Sequence, residues 1–319
     1  MNKLSIQLLG ALAAVALSTL SARAANLYWD INGAAAGAGG ATPAGTWSTS
    51  AANWTTDSTG ASATAVWNNG DNAVFSAGTD ATGNYSVTVS SVTVSNITQN
   101  LGRPHLVSGT ITLAGATNYY TVNTRVSGDY DVRIDSAVAG TGNIVKNGPG
   151  ILHFLGNKTF NGDITLNAGT LALEGINGGL GAGTINLAGG NFVRNWDPVT
   201  VTNPINCVGA VNATIIQNNP NFNIAGPWLA GSASGNFCVS NINVNGFGPQ
   251  SATILISGDI SAYTGAFSQT PGNNRLRFGP SSGSGSITIN GSNSRFYTWG
   301  STSSGSPIDM PDNYYGTFK

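Results

Sequence analysis

Residues 128 to 135 read "GDYDVRID" and place Asp129, Asp131, Arg133 and Asp135 at alternate positions. In an extended strand alternate side chains share a face, so Asp131, Arg133 and Asp135 would point one way and Val132 and Ile134 the other. Outward carboxylates beside an arginine could grip a glycan and do acid–base work on it. With Asp129 they also form a weak candidate cation site, because calcium takes several carboxylate oxygens. The competing reading is a wet surface on which Arg133 neutralises its neighbours, an arrangement worth about 0–1 kcal/mol. A catalytic groove would need further acids one coil on. Twenty residues beyond Asp131 and Asp135 stand Ile151 and Leu155, so the spacing favours surface pairing.

Other reactive residue types are sparse. Gly279-Pro-Ser281-Ser-Gly283 has the form of a nucleophile elbow, which needs an Asp and then a His further along and a strand–turn–helix setting. Both histidines, His105 and His153, lie upstream of it, and the surroundings are Ser/Gly-rich. Two histidines and two distant cysteines offer no zinc-ligand spacing. His153 sits between Leu152 and Phe154, so alternation turns it outward, onto an expected solvated face. No catalytic set, metal or cofactor is expected from these residues.

The elements that carry them follow from composition. Only 8% of the 319 residues are charged, 40% are apolar, 44 are glycine, and the formal net charge is −1. Twelve Lys and Arg spread this thinly cannot form a phosphate-binding face, so a nucleic-acid partner is excluded. Glu174 is the only glutamate, and Asn, Thr, Ser, Gly and Val stand where helix surfaces would use Glu, Lys, Ala and Leu. An ordered all-β protein is expected.

Residues 1–24 read as a signal peptide: Lys3 is the positive residue, Leu8 to Leu20 the apolar stretch, and Ala22-Arg23-Ala24 the cleavage site. No stretch reaches the roughly 20 apolar residues a transmembrane helix needs. In an exported chain Cys207 and Cys238 either form one disulfide or remain two buried thiols. Residues 25–84 hold Trp29, Trp47, Trp54 and Trp67 between Gly/Ala/Ser/Thr-rich connections, and are expected to cap an apolar end of the fold rather than to stack on carbohydrate.

From residue 85 a rhythm begins. Gly109-Thr-Ile111-Thr-Leu113, Gly162-Asp-Ile164-Thr-Leu166, Gly169-Thr-Leu171-Ala-Leu173 and Gly183-Thr-Ile185-Asn-Leu187 each give a turn glycine and a short alternating strand. Gly142, Gly162 and Gly183 recur at about 20 residues, Gly150 and Gly169 form an offset series, and Ile134, Phe154, Leu173 and Val193 recur at the same period. Strands this short leave no room for helices. One coil cannot bury its apolar side alone, so equivalent strands stack in parallel and Ile164, Leu166, Leu171 and Leu173 point inward. Corner glycines would supply left-handed backbone angles.

The segment "GTGNIVKNGPGILHFLGNKTFNGDITLNAGTLALEG", residues 140–175, resembles the autotransporter-associated β-strand repeat. The residues that carry the likeness are Gly142, the Lys146/Gly148/Gly150 step, the Gly156/Asn157/Phe160 step, Gly162, and the closing Gly169 and Leu171. The resemblance implies a right-handed parallel β-helix over residues 85–319 in an exported, secreted or surface-located bacterial protein. It implies a structural or adhesive role, with cell-surface glycans or envelope proteins as partners and no conserved catalytic set. Acids such as Asp131 and Asp135 resemble what β-helical polysaccharide lyases and hydrolases carry, so a polysaccharide-binding or polysaccharide-degrading protein is the alternative. Tyr314-Tyr-Gly316-Thr-Phe318 echoes the repeat at the end of the sequence, as expected of a chain that continues in a longer protein.

Overall fold

Short alternating strands with glycine corners wind into a parallel β-solenoid in the computed structural model. It describes residues 23–124, 128, 130–215, 222–240 and 253–269, together with strand backbones between 275 and 318. Asp129, the Gly279–Gly283 motif and residues 1–22 lie outside the described residues. No helix occurs among the described residues, and none is long and apolar enough to cross a membrane.

Equivalent strands of successive coils pair in parallel and in register. In a nine-stranded sheet Ile144 pairs with Ile164, Ile164 with Ile185 and Ile185 with Ile205, steps of 20, 21 and 20 residues. Before residue 143 the steps are longer: Ala73 pairs with Ile97, Ile97 with Tyr120 and Thr117 with Asn143, or 24, 23 and 26 residues. A twelve-stranded sheet forms a second wall, in which Val132 pairs with Leu152, Leu152 with Leu171 and Leu171 with Phe192.

The core is a set of stacked columns. Ile144, Ile164, Ile185 and Ile205 form one; Ile134, Phe154 and Leu173 form another, and all are buried. The fourth member of the second column is Arg194, not Val193. Its buried guanidinium donates from Nε to the Asp197 carbonyl at 2.9 Å and from Nη2 to the Trp196 carbonyl at 2.5 Å. Lys146 likewise occupies a core column, opposite Leu166. Its Nζ donates to the carbonyls of Asn147, Gly148 and Ala168 at 2.7, 2.9 and 3.2 Å. Burial pushes this amine down to about 7, opposed by nearby Asp131. Three carbonyl acceptors match the three donors of an ammonium, so the corner is built for the charged form.

Two kinds of glycine hold the corners. Gly148 and Gly169 have φ of +77° and +70°, the left-handed geometry expected of them. Gly142, Gly162 and Gly183 do not; they are required because coils touch there. A Cβ on Gly162 would fall inside van der Waals contact of the Gly142 carbonyl, and one on Gly183 inside that of Gly162.

Among the residues that carry the repeat likeness, Phe160 lies in the connection between strands Ile151–Leu155 and Ile164–Leu166. It is fully buried and belongs to the core cluster, so it offers no accessible surface to a ligand. Its backbone still joins coil to coil, the carbonyl accepting the amide of Ala182 at 3.1 Å. The physical reason is that the connection itself folds against the apolar interior: a large ring fills the corner that a short strand leaves open.

Side chains also clasp the next coil. Asn143 Oδ1 accepts the amide of Asp163 at 2.9 Å, and Asp163 Oδ1 accepts that of Thr184 at 2.7 Å. Asn157 brackets the peptide of Asn177, accepting its N–H at 2.9 Å and donating to its carbonyl at 3.1 Å. Asn203 reaches the other way, accepting the amide of Leu180 at 2.9 Å.

At the N-terminal end, strand Asn26–Trp29 pairs with Asn72–Phe75 in parallel, and the antiparallel strand Trp54–Thr55 closes the nine-stranded sheet. Trp54 lies 5.1, 5.2 and 4.8 Å from the rings of Trp29, Trp47 and Trp67, and 5.6 Å from Phe75. All four tryptophans are buried, so they plug the end of the core and offer no stacking surface.

The disulfide alternative is corrected. Cys207 and Cys238 are free thiols on different sheets, each in strand register with its own neighbours. Burial pushes the Cys207 thiol up, the inert condition of a core cysteine.

Candidate functional site

One cluster of charged residues, Arg103, Arg133, Asp135 and Glu174, lies with both histidines on the outer side of the twelve-stranded sheet. The step from His105 to Arg133 is 28 residues, well above the common period, and it brings these two side by side in register. Arg133 also pairs with His153, a step of 20. Both histidines of the chain therefore flank one arginine.

Asp135 is the hub. It accepts from Arg133 Nε at 2.9 Å and lies 2.7 Å from His105 Nε2, with about a quarter of its side chain exposed. Burial raises its pKa, but the hydrogen bonds from His105 and Arg133 outweigh that and hold it at about 2. The ring of Tyr130 sits between the two histidines, 6.0 Å from His105 and 6.3 Å from His153, under the guanidinium of Arg103 at 4.2 Å. Because its folded pKa lies below the ordinary 3.8, the stabilisation from Asp135 is complete above that value and is lost as pH falls through about 2. Relative to wild type, Asp135→Asn should lose at most about 1 kcal/mol at neutral pH, and the difference should shrink as pH falls below 3.8 and be gone only once it is well below about 2. Urea unfolding across that range checks it; a difference independent of pH would contradict the assignment.

Two expectations are overturned here. Asp131 does not share the outward face of Arg133 and Asp135. It is buried just before the strand, where its Oδ2 accepts the amide of Ile151 at 2.7 Å, a clasp on the next coil. His153 does turn away from the core, but not to solvent: it is fully buried, with Nε2 3.1 Å from Glu174 Oε2. That approach is off the hydrogen-bonding direction, so it is an ion-pair proximity without an aligned bond. The burial comes from a covered sheet face: Ala172 and Val193, the next members of the His153 column, are buried too.

The carboxylates of this cluster are engaged with their neighbours. Asp135 is tied to Arg133 and His105, Asp131 to a backbone amide, and Glu174 is buried against a histidine. No group of three or more potential metal ligands lies together among the described residues. Lys158, which the sequence reading passed over, is also a corner plug: it donates to the carbonyls of Leu155 at 2.6 Å and Ser136 at 3.1 Å, and burial pushes its amine down to about 8. The His105–Asp135 contact was missed because nothing in the sequence marks a 28-residue coil.

The outer side of the nine-stranded sheet differs in character. Its outward positions are Asn26, Tyr28, Asn72, Val74, Thr98, Thr117, Tyr119, Thr121, Asn143, Val145, Asn147, Thr165, Asn186 and Asn206, with no charge among them. Asparagines link coil to coil: Asn72 Nδ2 donates to Asn26 Oδ1 at 3.0 Å and Asn96 Nδ2 to Asn72 Oδ1 at 2.7 Å. Asn96 Oδ1 in turn accepts the amide of Tyr119 at 2.7 Å, and Asn206 Nδ2 donates to Asn186 Oδ1 at 2.8 Å. Tyr119 stands out from this face, 49% exposed.

No family model matches the chain, and no solved structure matches it. Among curated proteins, 176 residues, 53% of the chain, are 36% identical to the adhesin BmaC autotransporter of Brucella suis biovar 1 (strain 1330). The chain spans only about 5% of that protein's length, so what it shows is a β-solenoid segment similar to part of an autotransporter adhesin.

Proposed function

We propose that this chain is a non-enzymatic, passenger-like segment of an exported bacterial surface protein, with an adhesive or structural role. The observation that carries the reading is the similarity of half the chain to an autotransporter adhesin, joined to a solenoid in which Asp131 holds the next coil and Asp135 neutralises Arg133. Residues 1–24 act as the export signal, 25–84 as the cap and 85–319 as the stack. Residues 140–175 are one copy of the autotransporter-associated repeat, in which Lys146, Asn157 and Gly162 do the corner and clasping work described above and Phe160 fills the core. Partners are cell-surface glycans or envelope proteins.

The test is adhesion of beads coated with the full chain to host cells and to bacterial envelopes, alongside incubation with neutral and acidic polysaccharides. Binding without new reducing ends is expected. Chain cleavage that disappears in Asp135→Asn or Asp131→Asn would replace this reading with an enzymatic one.

A further inference from the structure

We propose that the uncharged outer face of the nine-stranded sheet, between Tyr28 and Tyr119, binds an extended neutral polysaccharide laid along the solenoid axis. The inference deepens the adhesive reading and rests on it.

The first argument is the contrast between faces. Both histidines, the only glutamate and the Arg103, Arg133 and Asp135 cluster lie on the twelve-stranded sheet, whereas the outward strand positions of the nine-stranded sheet between Tyr28 and Tyr119 carry no charge; Asp163, further along that face in register with Asn143, has its Oδ1 tied to the Thr184 amide. A charge-free surface gives an acidic polymer no counter-charge and imposes no desolvation of ions on an uncharged one. The second is preorganisation. Asn72 and Asn96 are fixed by the hydrogen bonds that link Asn26, Asn72, Asn96 and Tyr119; Asn72 spends both Nδ2 protons, on Asn26 and on the Ala24 carbonyl, while Asn96 keeps one Nδ2 proton, so this ladder is held in place before any ligand arrives.

The third argument is the placing of the rings. Tyr28 pairs with Val74, Val74 with Thr98 and Thr98 with Thr121, and Tyr119 is two residues before Thr121 on the same face. The two tyrosines are therefore three strand steps, about 14 Å, apart along the axis and two residues, about 7 Å, apart along the strands, roughly 16 Å on a diagonal. Thr98 and Asn96 fill the interval. An aromatic ring at each end, with amides and a hydroxyl between, suits a chain whose residues present alternating apolar ring faces and hydroxyl edges. Tyrosine is the ring type suited to such a half-wet position, apolar in body and polar at its tip. A single globular partner protein would instead call for a contiguous apolar centre, which this face lacks.

The experiment is affinity electrophoresis of the full chain through gels containing a soluble neutral β-glucan or, separately, polygalacturonate. Retardation is expected with the glucan alone and should persist at about 1 M salt, where charge attraction is screened beyond roughly 3 Å. Tyr119→Ala and Tyr28→Ala should each weaken binding about tenfold, the size of an aromatic hot spot, with circular dichroism unchanged. Tyr119→Phe should keep most of the affinity. Glucan binding untouched by the Tyr28/Tyr119 double substitution would overturn the site. So would preferential binding of polygalacturonate, or self-association abolished by Tyr119→Asp. If coated beads still adhere to cells in those cases, the adhesive reading stands and only this face is wrong. If the beads adhere to nothing, the adhesive reading itself fails.

Discussion

Trp54→Ala is expected to cost about 3–5 kcal/mol, the usual range for emptying a large aromatic site in a core. Trp54 touches every other ring of the N-terminal cluster, so its removal leaves Trp29, Trp47, Trp67 and Phe75 without their common neighbour. Relaxation cannot close the gap, because Trp29 is pinned by its Nε1 donating to the Pro43 carbonyl at 2.7 Å and Trp67 by its Nε1 donating to the Thr93 carbonyl at 3.2 Å. Trp54 Nε1 has no partner, so Trp54→Phe should be far milder, since it removes an unpaired buried donor along with the volume. A stack whose coils contact only their neighbours unravels from its ends. Hydrogen exchange should therefore show the loss first in strands Asn26–Trp29 and Asn72–Phe75. Unchanged protection there, with a urea midpoint equal to wild type, would refute the plug.

Gly162→Ala is the second large effect, about 2–3 kcal/mol from the overpacking of one methyl. The added carbon would strike the Gly142 carbonyl of the coil before, and both are backbone atoms held by pairing on either side. Nothing flexible is available to move aside. Gly156 has open space around it and a φ of +71°, so Gly156→Ala suffers only the left-handed strain, roughly 1 kcal/mol. Thermal unfolding of the two variants checks the ranking, and equal losses would contradict the close-contact account.

Residues 143 to 207 were legible because their coils are nearly uniform. Ile144, Ile164, Ile185 and Ile205 repeat at a constant step, so periodicity found the columns and their inward face. Alternation failed where a longer coil or a second covering layer intervened. Asp131 precedes its strand, so its side chain follows loop geometry and not the pleat. Phe160 sits in a connection too, where strand alternation says nothing about burial, and only the packed corner accounts for its place in the core. His153 keeps its outward register, but burial depends on what lies across the sheet, which local pattern does not encode. Val193 looked like the next core residue because it is apolar; the true occupant, Arg194, fits only because the Asp197 and Trp196 carbonyls receive its charge. The asparagine ladder follows the regular 20-residue step between Asn186 and Asn206, whereas the links among Asn26, Asn72 and Asn96 span the longer, uneven steps of the first coils, which no constant period marks.

The clasping side chains have a direction. Asp131, Asn143, Asn157 and Asp163 each hold out an oxygen to an amide that comes about 20 residues later, and Asn96 does the same for Tyr119. Asn203 runs the other way, and so do Asp71 and Asp80 in the cap, which accept the amides of Ala25 and of Ala38 and Gly40. A chain threading out of a membrane or a ribosome N-terminus first would thus present a finished docking edge before the next segment arrives. The tryptophan plug would be the seed, and each completed turn the mould for its successor. From Asp131 to Asp163, then, an earlier coil offers the acceptor and the coil after it supplies the amide that fills it.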